Sequence, residues 1–107
     1  MKKLTQEMID DVFETATDQS DATISLFRIA FPEWDNITSV GGYPHVSKAT
    51  SEYIFGKAMA FDKEHHPDVL ASGMWMNYGF SAKDGVEDWT VDTSECNVEL
   101  KPAALAA

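Results

Sequence analysis

One short run in this 107-residue chain gathers side chains that could do acid–base or metal chemistry: Asp62-Lys63-Glu64-His65-His66-Pro67-Asp68. If a helix continues through it, Asp62 lies three and four residues before His65 and His66. A carboxylate at that spacing can orient an imidazole or share a ligand with it. The same residues also suit plain helix termination, since histidines in a last turn interact favourably with the helix dipole and a proline often follows. His45 is the only other histidine available to complete a site. We assign no metal and no cofactor. Cys96 is the single cysteine, which rules out an intrachain disulfide, and it is expected to face inward as a small hydrophobe. The nucleophile elbow, the zinc-protease His-Glu-x-x-His, the phosphate loop and the dinucleotide glycine fingerprint are all missing from the sequence.

Locally, the stretch through His65, His66 and Pro67 resembles the His-His-Pro region of the pterin-4a-carbinolamine dehydratases. In that family paired histidines at a helix end act in acid–base dehydration. The likeness covers these three residues, a helix before them and a strand after. It departs from the family pattern further on, because no histidine follows His66, and the family has strands where this chain begins with helices. The activity is not carried over.

The elements that must hold these residues read as an α+β fold: about three helices followed by a small antiparallel sheet. Thr5 caps a first helix from Gln6 to about Thr17, with Met8, Ile9, Val12, Phe13 and Ala16 on its apolar side and Leu4 stapled against Ile9. Asp18 or Ser20 caps a second, carrying Thr23, Leu26, Phe27 and Ala30, and Pro32 stops it. After a turn bearing Trp34, Ile37 to Val40 forms a short strand, and Gly41-Gly42-Tyr43-Pro44 turns again. A third helix begins near Ser47, Thr50 or Ser51 and ends at His65 or His66. Gly56 weakens it by roughly 1 kcal/mol relative to alanine, which points to close packing against another element.

From Gly73 the period becomes two. Met74, Met76, Tyr78 and Phe80 then share a core face and Trp75 lies on the other. Asp84-Gly85 suits a two-residue hairpin turn, which sets Phe80 opposite Trp89 and Tyr78 opposite Val91. A further turn near Thr93-Ser94 extends the hairpin to a three-stranded meander. Residues 1–101 form the domain, and 102–107 are a disordered tail.

The charge is −10 and unevenly placed. Glu7, Asp10, Asp11, Glu14, Asp18 and Asp21 form one base-free run, and Asp84, Glu87, Asp88, Asp92, Glu95 and Glu99 another. Such a surface disfavours direct contact with nucleic acid or anionic lipid and suits a basic protein partner. No apolar run approaches a membrane span, and the lone cysteine points to a reducing, cytoplasmic setting. The leading expectation is a non-catalytic interaction module, an inhibitor or adaptor, contacting its partner through Asp10, Asp11, Glu14, Asp18, Trp34 and Trp75. A homodimer is compatible with the same features. The alternatives are a nucleic-acid mimic blocking a DNA- or RNA-binding protein, a small enzyme built on Asp62, His65 and His66, and a small-molecule sensor lined by Met74, Met76 and Phe80.

Overall fold

In the computed structural model, which describes residues 2–77 and 79–102, the chain is α+β. Helices α1 (Gln6–Thr15), α2 (Gln19–Ala30), α3 (Lys48–His65) and α4 (Pro67–Ala71) enclose the core with six short strands: β1 (Lys2–Lys3), β2 (Ile37–Gly41), β3 (His45–Val46), β4 (Ser81–Ala82), β5 (Thr90–Val91) and β6 (Asn97–Leu100).

Local chemistry explains the helix ends. Thr5 Oγ1 accepts from the Met8 amide, Asp18 Oδ1 from the Asp21 amide and Ser47 Oγ from the Thr50 amide, so each long helix starts on a side-chain cap. The first helix stops at Thr15 rather than Thr17 because the Thr17 amide donates to Asp21 Oδ2, drawing that residue into the start of α2. At Pro67 the expected stop becomes a restart: His66 leaves helical geometry (φ −138°, ψ 55°) and Pro67 opens α4, where its missing N–H is no loss.

Leu4, Ile9, Phe13, Leu26, Ile54 and Phe61 pack with Val46, Phe80 and Val91 in one core. Full burial of each large aliphatic side chain contributes roughly 1.5–3 kcal/mol. Thr50 is buried among them but satisfied, since its hydroxyl accepts from Ser47 Oγ and from the Trp89 amide. That last bond, and the Leu4 amide donating to Trp89 O, hold Trp89 at φ 61°, an uncommon conformation for a residue with a side chain.

The strands do not pair as the expected hairpin or meander. Among the described residues β1 pairs antiparallel with β5, β2 antiparallel with β6, and β3 parallel with β4. A bridge from His45 to Asp92 links β3 to the end of β5. Ser81 therefore lies beside His45, and Val91 beside Lys2. Asp84-Gly85 does make a turn, with Gly85 at φ 87°, but it joins no strand pair. Residues 74–77 carry no regular secondary structure, and their polarity is inverted: Met74 and Met76 are 79% and 61% exposed whereas Trp75 is half-buried. The Met-lined pocket is thereby removed, leaving only Phe80 of its three residues in the core. The assigned position of Tyr78, and the 103–107 part of the expected tail, lie outside the described residues.

Candidate functional site

Asp62 sits on the inner side of α3 and is only 4% exposed. Its Oδ2 accepts from Trp75 Nε1 at 2.5 Å and from Gln19 Nε2 at 2.6 Å. Gln19 Nε2 also donates to Met76 O, and its Oε1 accepts from Asn77 Nδ2. Trp75, expected among polar neighbours on an open sheet face, instead packs edge-on against Phe55 and is tied into this node. The carboxylate ties α2, α3 and the 74–77 segment together.

The imidazoles lie elsewhere. His65 and His66 are exposed, and neither forms an ion pair with Asp62 among the described residues. The His65 ring rests on Phe61, with centroids 4.5 Å apart. Because α3 ends at His65, His66 does not share the helical face of Asp62 and contributes only a backbone N–H to Asp62 O. The three residues proposed as a catalytic cluster are thus divided between a buried structural carboxylate and two solvent-facing rings. In place of the strand that follows the histidines in the dehydratase pattern, α4 follows here.

The acidic stripe is partly consumed by the fold. Asp10 accepts from Tyr53 Oη at 2.5 Å and pairs with Lys57 Nζ at 2.9 Å, clamping α1 to α3. The Tyr53 hydroxyl, and then Lys57, hold the Asp10 carboxyl below its ordinary value. The same contacts raise Tyr53 and Lys57 above theirs. Asp18 is a helix cap. Asp11 and Glu14 remain exposed, and Glu14 joins Asp10, Glu64 and His65 on the rim of a shallow groove of about 570 Å³ floored by Phe13 and Phe61.

A second cleft, of about 420 Å³, opens between the C-terminal half of α2, the Trp34–Asn36 turn and β2. Phe27, Phe31, Trp34 and Tyr43 supply its aromatic wall, and Ile37 and Val40 much of the remainder. Phe27 and Trp34 pack with centroids 6.1 Å apart, and Phe27 is braced from behind by Phe80 at 5.1 Å. Tyr43, 67% exposed, stands at the mouth. Glu99 reaches this rim across the β2–β6 pairing, its Oε2 accepting from Ser39 Oγ. Sequence reasoning noted Trp34 and Tyr43 as separate turn aromatics and missed the cleft. The signal was the spacing of Phe27, Phe31 and Trp34, which aligns three aromatic rings along the end of α2 and its exit turn.

Compared with known protein families, curated proteins and solved structures, the chain matches none. The likeness at His65-His66-Pro67 therefore remains local.

Elsewhere His45 Nε2 meets Glu95 Oε2 at 2.6 Å, Lys83 Nζ reaches the same oxygen at 2.8 Å, and His45 Nδ1 is enclosed without a partner among the described residues. Lys83 holds Glu95 below its usual value. Cys96 is half-buried against the core, and burial pushes its thiol up, away from the reactive thiolate. No cluster of three or more His, Cys, Asp or Glu arranged for a metal occurs among the described residues, and no helix there is long and apolar enough to cross a membrane.

Proposed function

We propose that this chain is an interaction module that takes an apolar side chain of a basic protein segment into the Trp34 cleft. The supporting observation is the cleft itself, an aromatic-walled recess on the surface of a chain of charge −10. Recesses of this kind accept an anchoring side chain, because a fully desolvated contact with large rings supplies most of an interface's energy. Glu33 and Asp35 neighbour Trp34 in sequence and are exposed, and Glu99 accepts from Ser39 at the cleft, so the acidic surroundings favour lysine or arginine beside the anchor.

The test uses the isotopically labelled chain and two synthetic peptides, each with a central leucine, one flanked by lysines and the other by glutamates. The lysine peptide shifts the Trp34 indole and the Thr38–Tyr43 amides, and the glutamate peptide does not. Tyr43→Ala, at an exposed position that leaves the core intact, weakens that binding about tenfold. Shifts confined to α1, or an affinity unchanged by Tyr43→Ala, reject the cleft as the site.

A further inference from the structure

The outer side of α3 is exposed from Lys48 to Lys63, and its composition is unlike the rest of the surface. Lys48, Glu52, Phe55, Met59 and Lys63 follow one another at helical spacing along it, and all five are exposed, Phe55 by 45% and Met59 by 39%. Trp75 abuts Phe55, and Met74 projects from the same segment. Residues 47–76 contain four acids and three bases, and one of those acids, Asp62, is buried. The stripe itself sets Lys48 and Lys63 against Glu52, so it carries no acidic excess in a molecule of charge −10.

Gly56 adds a second observation. It interrupts the middle of an 18-residue helix at a cost of roughly 1 kcal/mol relative to alanine. Close packing against another element was the expected reason, yet among the described residues nothing beyond its own stretch of helix lies within 4 Å of where its Cβ would stand. Gly56 is itself exposed, so the space beside it opens to solvent on the outer side of the helix.

We propose that α3 is the self-association face of this protein, packing antiparallel against α3 of a second copy across a two-fold axis beside Gly56. Self-complementarity selects this occupant. With Phe55 of one copy against Met59 of the other, Glu52 lies within one position of Lys63 at both ends of the contact. A parallel pairing would instead set like against like. The missing Cβ lets the two backbones approach at the crossing, and Met59 is a side chain that adapts to a partner surface. Lys48 sits 4.0 Å from Glu52, an exposed pair held weakly enough for Glu52 to turn outward. Two copies meeting through any acidic face would repel, whereas here they do not.

The experiment is sedimentation of the full chain over a range of concentrations, with circular dichroism to verify folding. The wild type shifts from 11.9 kDa toward twice that mass as concentration rises. Gly56→Ala raises the melting temperature in dilute solution, as helix propensity requires, and weakens the dimer about fivefold or more, so stability and association move in opposite directions. Met59→Glu weakens it about tenfold or more. Glu52→Lys weakens association and adding Lys63→Glu restores it. A chain that stays at 11.9 kDa up to about 1 mM, or a dimer that Gly56→Ala leaves unchanged, overturns the proposal, and Gly56→Ala decides it even if Met59→Glu fails to fold.

Discussion

Trp75 Nε1 donates to Asp62 Oδ2 at 2.5 Å, and the two residues belong to segments that no strand pairing joins. One buried carboxylate oxygen holds the 74–77 segment against α2 and α3, since Gln19 donates to it as well. Asp62→Ala leaves Trp75 Nε1 without an acceptor and Gln19 Nε2 with Met76 O alone. We expect a loss of about 2–4 kcal/mol, read by urea unfolding, together with a red-shifted tryptophan emission as the indole meets water. Asp62→Asn keeps an acceptor oxygen and costs about 1 kcal/mol. Equal losses for the two variants contradict a hydrogen-bonding role.

The clamp between α1 and α3 gives stability a defined pH dependence. Asp10 is depressed in the folded state, by Tyr53 first and Lys57 second, so its contribution is fully present above the ordinary aspartate value of 3.8 and is lost as pH falls through the lower folded value. Tyr53 and Lys57 are raised, and their contributions are present below 10.0 and 10.5 and are lost as pH rises through the folded values. Asp10→Asn should flatten both limbs of a melting-temperature profile between pH 2 and 11. Tyr53→Phe should flatten the alkaline limb most. Limbs that survive Asp10→Asn would place the dependence in other groups.

The helices were legible because their signals are local. Thr5, Asp18 and Ser47 each cap a helix within three residues of themselves, and the apolar spacing of Ile9, Phe13, Leu26 and Ile54 names the inner faces. The strands were not. Most are two residues long, too short for alternation to build up, and β1 pairs with a segment almost the whole chain away. Alternation from Met74 to Asn77 was real but its polarity was inverted, because the pattern distinguishes two faces and does not say which is covered. Trp75 went inward, where Asp62 accepts from its ring N–H, and the two methionines took the outer side. The candidate site followed the same division: Trp34 stood out as a type, but its cleft depends on β6 supporting β2 from sixty residues further along the chain, a contact invisible in local sequence.

Gly42 gives the sharpest test of that pairing. It lies at φ 80° where β2 turns toward β3, and it lines the Trp34 cleft. A Cβ there would fall on the Glu95 carbonyl oxygen, which is backbone and cannot swing aside. Gly42→Ala therefore meets two obstacles, a left-handed conformation and a steric collision with the segment leading into β6. The expected loss is about 2 kcal/mol or more. Gly41→Ala is the control: its Cβ would meet only ordinary contacts at 3.8 Å from Asn97, so the cost there should be small. Hydrogen exchange at Val40 and Val98 reports the β2–β6 pairing directly, and Gly42→Ala should accelerate it while leaving the α1 amides protected. Equal exchange in the two variants would mean that the turn does not position β6, and the cleft would then have to be held by α2 and its aromatic contacts alone.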